Sequence, residues 1–273
     1  MDGNEFAIIC SWDWRPEDAA TTGQRFIKTL DALSGINPHF GPWSLVDRLN
    51  QASIPLDQAR TMFPEIADRC VSRGDDGTPE PIYGYTVDAC NRDVRVPANS
   101  FSVELTVRAG GGSQRFQNVS FKTPYNKVAD PSIVAYPVFK SVLTTLVRFW
   151  NPRSAQVYSS ELQKDWDLPR FDFDLDWMVY LSAPLAAKIT PPPDAHAERT
   201  PDGGVLLISA EETFDTENEA HMAAAKRIRD ALAPINNLEK HERDKQRADE
   251  TERMLKASGF PGVRVTNRRG RPT

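Results

Sequence analysis

The chain has 273 residues, of which 40% are hydrophobic, and its formal net charge is −5. This length fits one large domain or two small ones, with enough apolar residues for a sizeable core. No apolar run approaches the ~20 residues of a transmembrane helix, and the first residues lack the basic and apolar regions of a signal peptide. We therefore expect a cytoplasmic protein with no membrane partner. The three cysteines are an odd number without the close spacing of metal ligands, which argues against a disulfide framework.

Charge is unevenly distributed along the sequence. Residues 160–220 contain fourteen Asp or Glu against four Lys or Arg, whereas residues 226–273 contain thirteen Lys or Arg against seven Asp or Glu. The acidic region would repel phosphates, which argues against nucleic acid as its direct partner. It suits a basic protein, because opposite potentials speed association and contribute to specificity.

The first third of the chain predicts a strand followed by helices. The apolar run Glu5–Cys10 is typical of a strand. A helix is expected to open at Pro16, which is tolerated in a first turn, and to end before Gly35. A second helix is expected near residue 56, with Asp57 as its N-cap.

The middle of the chain predicts a hairpin and a long helix. Residues Ser100–Arg108 alternate between apolar and polar side chains, which indicates a half-buried strand. The glycines at 110–112 then lead to a second strand over Phe116–Phe121, so a hairpin turn is favoured over a phosphate loop, which would need a following helix. Asp130 is expected to cap a helix that runs to about Trp150.

The last part predicts two strands and a helix. Strands are expected over Ala155–Tyr158 and Val205–Ile208, and a helix over Glu217–Leu232. The whole pattern predicts an α+β fold: a mostly antiparallel sheet of six to eight strands with helices packed largely on one face, as a single domain or two related halves. The domain is expected to span residues 1–235, and a charged helical extension with a basic tail to span 236–273.

The most unusual stretch is the acidic segment Asp165–Trp177, which is rich in aspartates and aromatic residues. From Phe171 to Trp177 apolar and acidic residues alternate. In a strand, the apolar side chains would face a core while Asp172, Asp174 and Asp176 would share the opposite face. This pattern predicts an acidic surface that meets a basic partner. The alternative is the solvated outer face of an edge strand, where charge blocks unwanted pairing.

Residues typical of catalysis do not converge in the sequence. The four histidines are scattered, and the spacing expected of a metal site is absent. A nucleophile elbow, a P-loop and a dinucleotide fingerprint are also absent. We therefore expect neither an enzyme nor a cofactor or metal. The alternative that remains open is a small-molecule-binding protein or enzyme with a pocket between sheet and helices.

Several motifs resemble the Imm52 family of immunity proteins over residues 5 to 235. The resemblance is carried by patterns of aromatic residues, glycines and a helix rich in alanine. These motifs are Trp12-Asp13-Trp14-Arg15-Pro16, the helix with Phe26 and Leu30, Asn37-Pro38-x-Phe40-x-x-Trp43, Tyr158, Trp177, Asp202-Gly203-Gly204-Val205, and Phe214 with Asn218 and His221.

The resemblance implies a protein that binds a cognate polymorphic toxin and protects the producing bacterium from it. Such toxins often carry a restriction-endonuclease-type nuclease domain (Tox-REase-5) and are often delivered by type VI secretion. From charge and periodicity, rather than from the family, we predict that the partner-binding residues are an aromatic anchor and six carboxylates. These residues are Trp166, Asp167, Asp172, Asp174, Asp176, Glu211 and Glu212.

Overall fold

One antiparallel sheet organises the part of the chain that the structure describes. The structure is a computed structural model that describes residues 5–13, 15–47, 50, 52–74, 76–91, 103–110, 117–123, 130–161 and 173–236, without the side chains of residues 64, 67, 68 and 82. The ten strands in these ranges are β1 (Phe6–Trp12), β2 (Ser44–Asp47), β3 (Ala52–Pro55), β4 (Tyr85–Cys90), β5 (Glu104–Ala109), β6 (Gln117–Lys122), β7 (Ser154–Ser159), β8 (Met178–Leu181), β9 (His196–Arg199) and β10 (Val205–Ile208). Their spatial order is β3-β2-β4-β5-β6-β1-β7-β8-β10-β9, and neighbouring strands are antiparallel throughout.

The helices lie between the strands in sequence. They are α1 (Ala19–Ser34), α2 (Leu56–Thr61), α3 (Phe63–Arg69), α4 (Tyr136–Trp150), α5 (Ala183–Ala186) and α6 (219–236).

The first face of the sheet is apolar across its central strands and packs against α1 and α4. In β1 the alternate residues Phe6, Ile8, Cys10 and Trp12 are buried in this core. At its edge the indole of Trp12 stacks on Trp150, with ring centroids 5.4 Å apart. This main core therefore joins the central strand to α1 and α4.

The second face differs between the two ends of the sheet. Because side chains alternate along a strand, the residues of β8 and β10 that do not face the main core point to a second apolar cluster. This cluster contains Val179, Leu181, Val205 and Leu207 from the strands, Leu185 and Ala186 from α5, and Ile228, Leu232 and Ile235 from α6. Strands β8 and β10 thus lie between two helical layers, which is why both are apolar at every position.

The predicted α+β class and antiparallel sheet are confirmed. The sheet has ten strands in the described residues, rather than six to eight. The sequence pattern does not predict β2, β3, β4 or β9, three of which have only four residues. The hairpin of β5 and β6 is confirmed as an antiparallel pair, and the end of α4 at Asn151 is confirmed by its left-handed backbone conformation.

Three predicted helix starts are wrong. Helix α1 begins at Ala19, where the carboxylate of Asp18 accepts the Thr21 N–H at 2.7 Å. Asp57 lies in the first turn of α2 and is not its N-cap. Asp130 instead stabilises a separate turn before α4, where its carboxylate accepts the Ser132 N–H.

The charged extension and basic tail predicted after the domain lie outside the described residues from residue 237 onward.

We expect Gly23→Ala to destabilise the protein although alanine favours helices. A Cβ at residue 23 would lie 1.5 Å from the buried ring of Phe63, so α1 or α3 would have to move. The expected loss is about 1–3 kcal/mol in the free energy of unfolding, typical of an overpacked core, measured by urea denaturation. Gly35→Ala is the matched control, because its Cβ would meet Ala32 O at an ordinary 3.5 Å. Equal stability of both variants would contradict this packing.

Candidate partner-binding site

Trp177 fixes the position of the acidic segment. It is fully buried, and its ring stacks on Phe139 of α4 with centroids 5.5 Å apart. Its backbone N–H donates to Val157 O at 2.7 Å, and its indole N–H donates to Ala210 O at 3.0 Å. Trp177 therefore ties the end of β7 and the residues after β10 to α4.

The described part of the acidic segment is irregular and is not the predicted strand. Residues 173–177 lack strand structure, and β8 begins at Met178. Phe173 packs in the second cluster while Trp177 packs in the main core, so the two aromatic rings lie on opposite sides of the sheet. The side chain of Asn236 explains the position of Phe173, because its amide accepts from the Phe173 N–H and donates to the Phe173 carbonyl, both at 2.8 Å.

Asp176 is buried, so the prediction that it lies on an exposed acidic face is wrong. Its side chain is 3% exposed, and its Oδ2 accepts a hydrogen bond from Gln156 Nε2 at 3.1 Å. The pKa of Asp176 is raised to about 7, mainly by burial; the hydrogen bond from Gln156 opposes this rise, and the negative charge of Asp174 contributes to it. Asp176 is therefore unsuited to be a surface charge contact.

Five other carboxylates lie close to Asp176 along the chain or in space, where β7 and β10 end and β8 begins. We call this set the acidic corner, and its residues are Glu161, Asp174, Glu211, Glu212 and Asp215. Antiparallel pairing places these strand ends together. The Thr216 hydroxyl donates to Glu161 at 3.2 Å, which joins the end of β7 to the chain after β10.

Two histidines contact the acidic corner. His221 Nδ1 accepts the Asp215 N–H at 3.1 Å, so the ring proton is on Nε2, which donates to Glu212 at 2.9 Å. His196 Nδ1 lies 3.1 Å from Glu211, whose side chain remains 62% exposed. The two histidines therefore hold Glu211 and Glu212 in place, while both carboxylates remain largely exposed and Asp174 is half-buried.

His196 also links the corner to the edge strand β9. Its Nε2 lies 2.8 Å from Glu198, which forms an ion pair with Lys140 of α4. The hydrogen bond from Lys140 holds the pKa of Glu198 below its usual value. Lys140, Glu198, His196 and Glu211 thus form a continuous series of contacts from α4 across β9 to the acidic corner.

The structure brings together only part of the predicted site. Asp174, Glu211 and Glu212 meet at the acidic corner, whereas Trp166, Asp167 and Asp172 lie outside the described residues. The histidines that position Glu211 and Glu212 were missed as members of the site, because His221 is 9 residues from Glu212 and His196 is 15 residues from Glu211, and such separations give no signal in the sequence. In the described ranges, no group of three His, Cys, Asp or Glu side chains could hold a metal ion, and no helix there is long and apolar enough to cross a membrane.

The Imm52 family model, described as Immunity protein 52, matches residues 5–239. The chain belongs to the Imm52 family. This membership supports an immunity role, implies a cognate toxin as partner, and suggests a role other than catalysis.

Among solved structures, the fold is similar to that of the "Pseudomonas aeruginosa T6SS protein PA0821". The TM-score is 0.48 at 9% sequence identity, over 82% of this chain and 73% of the other. A comparison with curated proteins gives no significant match.

We expect Asp176→Asn to stabilise the protein more at pH 8 than at pH 5. The folded-state pKa of Asp176, about 7, lies above the unfolded value of 3.8, so the folded state holds this proton more tightly. The aspartate therefore costs stability progressively as pH rises from about 4 to 7, and the cost is fully present above that range. The expected gain at pH 8 is on the order of a few kcal/mol, measured by urea denaturation at both pH values.

Glu219→Gln, at an exposed position of α6, is the control for general charge effects. A gain from Asp176→Asn that is the same at both pH values would show that the buried carboxyl does not titrate in this window.

Proposed function

We propose that this protein binds its cognate toxin through the acidic corner and neutralises it in the producing bacterium. The proposed toxin is a basic nuclease effector of the restriction-endonuclease type, delivered by type VI secretion. The observation that carries the proposal is the convergence of Asp174, Glu211 and Glu212 at one exposed end of the sheet. Family membership supports the immunity role, and the chemistry of the corner supports the nature of the toxin.

A nuclease needs positive potential where it binds phosphates. Arginines and lysines of the nuclease supply this potential. The side chains of Glu211 and Glu212, which are 62% and 72% exposed, offer carboxylate oxygens to these cations. Among the described residues, their ion-pair contacts are to histidines and not to Lys or Arg. These carboxylates are therefore accessible to the cations of a partner.

The proposed contacts differ from the sequence prediction in one respect. Asp176 is removed because it is buried, and Asp174, Glu211 and Glu212 are kept. Trp166, Asp167 and Asp172 remain proposed contacts on the basis of sequence alone.

The direct experiment is co-expression with the product of the adjacent gene. We expect the two proteins to co-purify, and the purified complex to lack the DNA-degrading activity of the free toxin. A neighbouring protein that is harmless without this chain, or that forms no complex with it, would contradict the proposal. A complex with a toxin that does not cleave DNA would keep the immunity role and reject the nuclease.

We expect the triple variant Asp174→Asn, Glu211→Gln, Glu212→Gln to associate with the toxin more slowly. Exposed charges at the edge of an interface act mainly on the association rate, so a decrease of about fivefold to tenfold at low salt is expected. The dependence of this rate on ionic strength should weaken as well. Stopped-flow or surface plasmon resonance at several salt concentrations measures both effects.

The matched control removes three charges near β2, β3 and β4, at the opposite edge of the sheet. Its substitutions are Asp57→Asn, Glu65→Gln and Glu80→Gln. Equal association rates for the two triple variants would show that the acidic corner does not direct binding.

A further inference from the structure

A cleft lies between the C-terminal half of α4 and the hairpin of β9 and β10. Its volume is about 520 Å³, within the range of specific ligand sites. Its base is formed by Leu143, Tyr180 and Leu206, which are buried in the main core. Thr144, Val147 and Pro201 form its walls. The cleft is therefore an opening in the solvent-facing side of the same core that anchors Trp177.

The two rims of the cleft carry opposite charges. On the hairpin, Asp202 accepts the hydroxyl hydrogen of Tyr180. Burial opposes ionisation of Asp202, but its hydrogen bonds outweigh burial and hold its pKa below the usual value, so it is a fixed negative charge. On the helix, Arg148 lies over the ring of Phe149 at 4.8 Å and has no carboxylate partner among the described residues. The cleft thus offers an apolar centre between a carboxylate and a guanidinium.

The glycines of the hairpin explain why the cleft has this shape. Gly203 has a φ of +83°, a backbone conformation that favours glycine. A Cβ at Gly204 would lie 2.5 Å from Leu181 O, so this turn can approach β8 closely because position 204 lacks a side chain. The close approach holds Asp202 against Tyr180 and leaves the space beside α4 open.

We propose that this cleft is a second docking site for the same toxin and takes an apolar side chain that neighbours a lysine or arginine. The inference rests on the proposed function, since it assumes a protein partner with basic residues. The apolar side chain would lie over Val147 and Pro201, and the cation would reach Asp202. Arg148 then receives a backbone carbonyl or a carboxylate of the inserted segment.

The dimensions and position of the cleft favour a polypeptide segment. From Leu143 to Asn151 the helical wall is roughly 12 Å long at 1.5 Å per residue, which fits several residues of a loop. Strand β9 separates the cleft from the acidic corner by roughly 13 Å at ~3.3 Å per residue. A standard interface covers about 800 Å² of each partner, so one partner can contact both. Glu198 and His196 lie between the cleft and the acidic corner, so the polar surface is continuous from one to the other.

The two contacts should have different kinetic effects. Charges of the acidic corner act on association, whereas a side chain desolvated in the cleft acts as an anchor and slows dissociation. Filling the cleft should therefore raise the dissociation rate and leave the association rate nearly unchanged.

The test measures toxin binding by Val147→Arg and Thr144→Trp, each of which fills the cleft from α4. We expect dissociation to accelerate at least about tenfold in both, as for loss of an interface anchor, and about threefold or more in Asp202→Asn. Thr144 is exposed, so its variant does not depend on repacking the core. Gln58→Arg places an arginine on an exposed position of α2, near the opposite edge of the sheet, as the matched control and should bind like the wild type.

Hydrogen exchange of the wild-type complex gives an independent readout. Peptides that cover residues 143–151 and 200–206 should exchange more slowly in the complex than in the free protein. Wild-type dissociation rates in both filled variants, or unchanged exchange in these peptides, would overturn the docking site while leaving the immunity function intact. Absence of any complex with the wild type would overturn both proposals, and a small molecule that co-purifies and is lost in Thr144→Trp would assign the cleft to that ligand instead.

Discussion

The position of the candidate site depends on the burial of one indole. Trp177 lies in the main core against Phe139 and Phe6, and its N–H needs a partner there because an unpaired buried donor is costly. Ala210 O supplies that partner. One side chain therefore fixes the acidic segment before β8 and the carboxylates after β10 relative to each other. Surface residues from distant parts of the sequence become neighbours as a consequence of core packing.

Strands β8 and β10 provide a rigid support for both proposed contacts. Each strand is apolar on both faces, because α4 covers one face and α5 with α6 covers the other. The acidic corner lies at one end of these strands and the cleft at the other. A surface held by two cores loses little conformational entropy on binding, so more of the contact energy appears as affinity. The central strands instead carry polar residues such as Thr106, Ser120 and Gln156 on their second face.

The acidic segment shows where periodicity succeeds and where it fails. The strands around it were predicted, since Ala155–Tyr158 lies within β7 and Val205–Ile208 is β10. The alternation from Phe171 to Trp177 imitates a strand, but residues 173–177 bend so that Phe173 and Trp177 enter different cores. A pattern of period two records only which residues are apolar. It does not record that two cores lie on opposite sides of the sheet, and so Asp176 was assigned to solvent although it is buried beside Gln156.

The sequence by itself determined the α+β class, the antiparallel hairpin of β5 and β6, the main helices and the excess of negative charge, because local periodicity and composition carry that information. It also determined the family, through motifs of aromatic residues and glycines. Only the tertiary structure decided which carboxylates face solvent, which histidines hold them, and that a cleft opens beside Asp202. These features depend on contacts between residues far apart in the chain, such as His196 with Glu211 and Tyr180 with Asp202. Such contacts are fixed by the order of strands in the sheet, and a linear sequence does not display that order.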